Sequence, residues 1–273
     1  MKISFKTKKL LKEALAEDFG RGDVTSRLLI PAGARAKAVI VAREKGIFCG
    51  TPFIRELFRI ADPELKVKFG IPEGKSFRKG QAVVRLEGKA RSILKAERVT
   101  LNFLGRLSGI ATLTHAYVER ICGNKARVFD TRKTTPLLRE FEKYAVKTGG
   151  GKNHRMGLYD AVFVKENHRR FGNLAKLRRV SGNFEIEVRN LKELSEALVL
   201  NPRVILFDNF SPVRLKEAVT LVRQVNPRIL LEASGGITLG NISRFAATGV
   251  DRISSGALTH SAPAIDFSLL IKS

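Results

Sequence analysis

The stretch from Asp130 to His168 concentrates residue types that bind anions. It holds Arg132, Lys133, Arg139, Lys143, Lys147, Lys152, Arg155 and Lys165, with His154 and His168. Arginine forks grip carboxylates and phosphates through paired bonds, while lysine supplies a compact charge. Each charge-assisted bond contributes roughly 1.5–3 kcal/mol, so several together hold a dianion firmly. Such a pocket suits a small molecule bearing several carboxylates or phosphates. Arg139, Lys143 and Lys147 recur four residues apart, the spacing of a solvated helix face, and that is the preferred reading for them. Arg132, Lys133, Arg155 and Lys165 fall at strand ends or in glycine-rich loops, where a site is the better reading. His154, within GGGKNHR, is the better site candidate of the two histidines; His168 is equally consistent with a local cap.

Two acidic residues further on, Glu187 and Asp208, are the counterpart of this basic stretch. Paired carboxylates in a basic mouth can hold Mg²⁺ through water or stabilise a developing positive charge. They can equally neutralise neighbouring lysines and arginines, and both readings stand. Two small-residue tips, Ser234-Gly235-Gly236 and Ser254-Ser255-Gly256, each precede an expected helix. Small residues admit a phosphate close to the backbone, and a helix start offers free N–H groups. A tight turn is the alternative for each tip.

Short apolar runs position these residues. They occur at RVFD (127–130), AVFVK (161–165), FEIEV (184–188), VILFD (204–208), ILLEA (229–233) and DRISS (251–255), with helix-like stretches between most of them. Strands alternating with helices predict a parallel sheet covered by helices. Six such units point to an α/β barrel, complete or not, with a doubly wound open sheet as the second possibility. In both, the carboxyl ends of the strands gather at one mouth. All six runs end on polar, charged or glycine-containing tips, which is hard to explain as ordinary loops.

The first ~90 residues read differently. Residues 8–18 form an amphipathic helix ended by Gly20, AKAVIVAR and LKVKFG read as strands, and Thr51-Pro52 starts a helix with Thr51 as its cap. Ser92 to Cys122 is helical, with an interruption expected at Ser108-Gly109. That segment marks the boundary between a domain over residues 1–106 and a second over residues 107–273, whose last residues are expected to pack back on the first.

Composition bounds the function. The chain has 273 residues, 44% apolar, with 17 Phe and no Trp, as in a globular protein with a substantial core. The formal net charge is +24. Nucleic acid, a membrane surface, anionic substrates or a merely solvated surface all fit that charge. No basic tail, RNP-like motif or zinc-finger pattern favours nucleic acid. Cys49 and Cys122 form no CxxC pair, which fits a reducing cytoplasm. The charged start carries no signal-peptide core, and no apolar run approaches bilayer-spanning length. There is no P-loop, Rossmann GxGxxG, HExxH or GxSxG.

These motifs, read in order, resemble the quinolinate phosphoribosyltransferase family over nearly the whole chain. The matching segments are EDFGRGDVTS, AERVTLNFLGRLSGIAT, DTRKTTP, EKYAVKTGGGKNHRMGL, VKENH, EIEV, LFDN, LEASGGI and DRISSGALTHS. The resemblance implies a small N-terminal α/β sandwich followed by an open, incomplete α/β barrel with parallel strands. It implies a cytoplasmic homodimer, or a hexamer built as a trimer of dimers, with shared sites and no membrane or nucleic-acid partner. The implied reaction transfers phosphoribose from 5-phosphoribosyl 1-diphosphate to quinolinate, giving nicotinate mononucleotide, diphosphate and CO2. Mg²⁺ accompanies the phosphoribosyl diphosphate, and no organic cofactor is implied.

By motif, Arg98 would reach quinolinate from a neighbouring subunit. Thr131, Arg132, Lys133, His154, Arg155 and Lys165 would bind quinolinate, and Glu187 and Asp208 would lie beside the ribose and its Mg²⁺. Ser234, Gly235, Gly236, Ser255, Gly256 and Ala257 would take the 5-phosphate. Lys133, Lys165, Glu187 and Asp208 are the expected catalytic residues. Two departures stand out: Leu137-Leu138 replaces a more usual Gly-Leu or Gly-Phe, and Arg189 follows EIEV where an acidic residue is common.

Overall fold

The computed structural model describes residues 3–272. In chain order the early elements are α1 (Phe5–Phe19), α2 (Val24–Leu29), β1 (Arg35–Ala42), β2 (Gly46–Ile47), α3 (Thr51–Ala61), β3 (Lys66–Phe69), β4 (Ser76–Phe77), β5 (Ala82–Lys89) and the long α4 (Ala90–Arg120). There follow β6 (Arg127–Phe129), α5 (Arg139–Thr148), β7 (Phe163–Val164), α6 (Glu166–Phe171), β8 (Glu185–Val188), α7 (Leu191–Leu200), β9 (Val204–Asp208) and α8 (Pro212–Val225). The chain ends with β10 (Leu230–Ser234), α9 (Ile242–Ala246), β11 (Arg252–Ser254), α10 (Ala257–His260) and β12 (Phe267–Lys272). Two compact units result: residues up to Leu113 together with those from Ala262 onward, and Thr114–Ser261 between them. The division falls inside α4.

The first unit is built on an antiparallel sheet in the order β12-β1-β5-β3. Its core includes Phe48, Phe53, Ile54, Leu57, Phe58 and Phe77, all essentially inaccessible. Two local expectations are corrected here. Gly50, not Thr51, is the residue before the first turn of α3, and the Glu73 carboxylate accepts the N–H groups of both Gly50 and Thr51. A distant carboxylate thus does the capping expected of the threonine hydroxyl. The break expected at Ser108-Gly109 is also absent, because α4 runs unbroken. Gly109 is there for close approach: a Cβ on it would lie 2.0 Å from the Pro263 carbonyl oxygen. Ser108 turns its hydroxyl to the Cys49 N–H, 3.2 Å away.

The second unit carries a six-stranded parallel sheet in the order β6-β11-β10-β9-β8-β7. Consecutive strands from β7 to β11 are neighbours and β6 then joins β11, so the sheet winds in one direction. A doubly wound sheet would reverse its order at a switch point; this one does not. The cylinder is left open between β6 and β7. On the β6 side the edge is met by Lys152, whose N–H donates to Val128 O and whose carbonyl accepts from Asp130 N, at 2.8 and 3.0 Å.

Register explains how the barrel separates its two faces. Paired residues of a parallel sheet share a face, and residues alternate along each strand. The pairs Glu187–Leu206, Leu206–Glu232, Ser234–Asp208, Glu232–Arg252 and Ser254–Phe129 therefore put the carboxylates, serines and Arg252 on one face. Ile186, Val188, Ile205, Phe207, Leu231, Ala233, Ile253 and Val128 occupy the other and are buried. No described helix is long and apolar enough to cross a membrane.

Candidate active site

A cavity of about 800 Å³ opens at the carboxyl ends of the six strands, entirely within the second unit. Thr131, Arg132, Lys133, His154, Arg155, Lys165, Glu187, Asp208, Ser234, Gly235, Gly236, Ser255, Gly256 and Ala257 all line it. Arg98 does not; it is exposed on α4 in the first unit. The volume lies within the range of sites for small organic ligands. The lining also includes Asn209, which closes the VILFD run beside Asp208, and Phe163, Thr238, His260 and Ser261, to which pattern reading gave no role.

The basic side comes from two loops. One follows β6 and carries Arg132 and Lys133; the other precedes β7 and carries His154 and Arg155. Arg132 Nε is buried with no protein partner, which suits a guanidinium awaiting an anion. Phe163 presents its ring to both Arg155 and Lys165, 4.9 and 4.7 Å from ring centre to cation. This phenylalanine was hidden in an apolar strand run, where it is indistinguishable from core. Burial, reinforced by the charge of Arg132, lowers the Arg155 pKa from its ordinary value.

Lys143 corrects the sequence reading outright. It was expected on a solvated face, yet it is only 1% exposed and pairs with the fully buried Asp130. Its ammonium also donates to the His154 carbonyl at 2.8 Å. Burial raises the Asp130 pKa and lowers that of Lys143, each opposed by the attraction of its partner. Arg139 is half-buried, so only Lys147 of that trio is a surface residue. The i, i+4 spacing is shared by solvated and buried faces alike, and sequence does not separate them. His168 is a cap: its Nδ1 accepts the Lys165 N–H at 3.0 Å.

His154 is more constrained than its motif suggests. Its Nδ1 accepts the Arg155 N–H at 2.9 Å, and its Nε2 lies 3.1 Å from Glu185 Oε1. The neutral ring thus carries its proton on Nε2 and donates it to Glu185. Burial lowers the imidazole pKa, but the bond to Glu185 and the charges of Glu185 and Glu232 outweigh this and raise it. Glu232 is fully buried, with its two oxygens 3.9 Å from His154 Nε2 and from Arg252 Nη1, too far for a hydrogen bond to either. Burial, then the charge of Glu185, pushes its pKa up to about 7. The ligand atoms of His154, Glu185 and Glu232 lie within 4.8 Å of one another. That spacing would admit a metal ion, but an Nε2 proton fixed by the Arg155 bond is given to Glu185 instead, with Glu232 Oε1 3.9 Å from the same nitrogen.

The acidic pair closes the mouth. Glu187 Oε2 accepts from Lys165 Nζ at 2.9 Å. Asp208, on the next strand, has its pKa raised by burial and then by the charge of Glu187. Arg189 pairs with Glu166 at 2.6 Å, giving the unusual basic residue after EIEV a local partner. At the β10 tip Gly235 has φ +93°, and a Cβ there would fall 2.2 Å from Asn209 Oδ1, so only glycine fits. Leu137 has φ +66°, a left-handed conformation that explains why glycine is the more usual residue there.

The profile of the quinolinate phosphoribosyl transferase N-terminal domain matches residues 23–108, and that of the C-terminal domain matches residues 110–270. A probable carboxylating nicotinate-nucleotide pyrophosphorylase of Synechocystis is 41% identical over 96% of this chain and 91% of its own. The Methanocaldococcus jannaschii protein of the same description is 42% identical over 96% and 95%. The solved nicotinate-nucleotide pyrophosphorylase of Francisella tularensis superposes with a TM-score of 0.92 at 38% identity, covering 99% of this chain and 98% of its own. With both domain profiles matched in order and similarity running nearly end to end, this chain belongs to the quinolinate phosphoribosyltransferase family.

Proposed function

We propose that the mouth of the barrel joins quinolinate to 5-phosphoribosyl 1-diphosphate, releasing diphosphate and CO2 and leaving nicotinate mononucleotide. The observation that carries the reading is the buried, unpartnered Arg132 Nε in a cavity lined also by Lys133, Arg155 and Lys165. Four cations around one small volume suit a ligand with two neighbouring carboxylates. The Ser234-Gly235-Gly236 and Ser255-Gly256-Ala257 tips, at the ends of β10 and β11, suit the 5-phosphate.

The residues divide the work accordingly. Arg132, Lys133, Arg155 and Lys165 hold the carboxylates and leave the ring nitrogen free to attack the ribose C1. Glu187 and Asp208 stabilise the positive charge that develops on the ribose as diphosphate leaves. They also fit Mg²⁺: hard oxygen donors on adjacent strand ends, with the Asp208 pKa raised by burial and then by the like charge of Glu187. Bound there, the ion would neutralise the departing diphosphate. Once the pyridinium forms, its positive nitrogen stabilises the carbanion left at C2 by loss of CO2, and a proton then completes the product.

Arg98 and the assembly belong to the same reading. The first unit supplies Arg98 to the mouth of a neighbouring copy, in a homodimer or a hexamer of three dimers. Purified protein given quinolinate, phosphoribosyl diphosphate and Mg²⁺ should release CO2 and nicotinate mononucleotide in equal amounts. Turnover of nicotinate but not quinolinate would contradict the reading. Mixing Arg98→Ala subunits with subunits inactivated at Arg132 should restore partial activity if sites are shared; no restoration would refute sharing.

A further inference from the structure

Helix α5 turns three charged side chains away from solvent, and each reaches a loop of the cavity. The fully buried Glu142 accepts the Thr135 N–H at 3.1 Å and the Thr135 hydroxyl at 2.8 Å. Arg139 donates from Nε to Thr134 Oγ1 and from Nη1 to the Met156 carbonyl, both at 3.0 Å. Lys143 pairs with Asp130 and donates to the His154 carbonyl at 2.8 Å, while Asp130 accepts the His154 N–H at 2.8 Å. His154 is therefore gripped at both of its main-chain groups. Thr134 and Thr135 follow Arg132-Lys133 directly, and Met156 follows His154-Arg155. One turn of one helix thus ties down both basic loops.

From this geometry we infer that Arg139, Glu142 and Lys143, with Asp130 as the partner of Lys143, form a positioning brace. It fixes the separation of Arg132-Lys133 from His154-Arg155 and so selects a ligand with two adjacent carboxylates. Stability alone is a poor explanation for it. A buried ion pair contributes little over well-packed apolar residues, because desolvation offsets the attraction. These side chains direct their donors and acceptors to the two loops beside the site. A displacement of 1 Å in such a loop is enough to weaken binding markedly. The inference rests on the proposed assignment of Arg132, Lys133, His154 and Arg155 to quinolinate.

The test is the double variant Asp130→Asn/Lys143→Met, which removes the charge pair together and leaves no buried ion unpaired. The brace predicts a KM for quinolinate raised at least tenfold and a KM for phosphoribosyl diphosphate within twofold of the parent. Thermal melting and gel filtration establish that the variant is folded. Unchanged KM for quinolinate, or an equal rise for both substrates, would overturn the brace, since a purely structural pair does not discriminate between them. Should the double variant not fold, Glu142→Gln, which keeps the shape and one acceptor, is judged by the same split. Arg155→Ala is measured alongside. If it leaves the quinolinate KM unchanged, the site assignment itself is wrong; if it raises that KM while the brace variants do not, only the brace fails.

Discussion

The two ends of the cavity are lined in different ways. At the ends of β6 and β7 the lining is long cationic side chains: Arg132, Lys133, Arg155 and Lys165. At the ends of β10 and β11 it is small-residue tips, with Gly235 at φ +93° pressed against Asn209. Side chains with many rotamers need bracing, and the structure supplies it from beneath through Asp130, Glu142 and Lys143, all buried. A glycine turn is braced by its own main chain. Under the proposed function the first end takes the aromatic dianion and the second the 5-phosphate.

The largest expected effect falls on the side-chain end. Arg132→Ala removes two or more charge-assisted bonds, and kcat/KM for quinolinate should fall by roughly 10² to 10⁴. Steady-state rates with quinolinate varied would show it, and a fall below threefold would break the contrast drawn here. Next comes the interior under that end. Glu232 has its pKa raised by burial to about 7, so the folded protein binds a proton there that the unfolded chain has released above the ordinary carboxylate range. Its contribution is full below the unfolded value near 4.5 and is lost as pH rises to about 7. Glu232→Gln should therefore be more stable than the parent at pH 8 by up to about 3 kcal/mol and nearly equal to it at pH 4. Equal destabilisation at both pH values, read by denaturant unfolding, would contradict a buried carboxyl whose charge His154 and Arg252, each 3.9 Å away, offset only in part.

The glycine end predicts a smaller, steric loss. Gly235→Ala places a Cβ in a left-handed backbone and against Asn209, at a cost of about 1–3 kcal/mol in stability. A melting temperature within a degree of the parent would show that the tip can relax. Smallest is the loop beside Arg132. Leu137 is 68% exposed with φ +66°, so Leu137→Gly removes a strain of about 1–2 kcal/mol while loosening the unfolded chain by somewhat less. It should be neutral or stabilising by up to about 1 kcal/mol, where an exposed Leu→Gly change in relaxed backbone would destabilise.

The same contrast governs what the sequence could reveal. Strand ends and glycine tips were legible, since strand period, turn residues and strand order are local signals. The six runs became the six parallel strands, and fourteen of the expected residues line one cavity. The supports were not legible. Lys143 has the spacing of a surface residue and is buried by a contact with Asp130, thirteen positions away. Glu232 and Phe163 sit inside apolar runs, where neither charge nor ring signals a role. Gly109 looked like a helix break because its close neighbour, Pro263, is far away in sequence.

The division of the cavity is tested most directly by the KM values of both substrates in Arg155→Ala and Gly235→Ala, measured side by side. The account predicts a crossed pattern. Arg155→Ala raises the KM for quinolinate at least tenfold and leaves that for phosphoribosyl diphosphate within twofold, and Gly235→Ala does the reverse. Parallel changes in both substrates for either variant would contradict it.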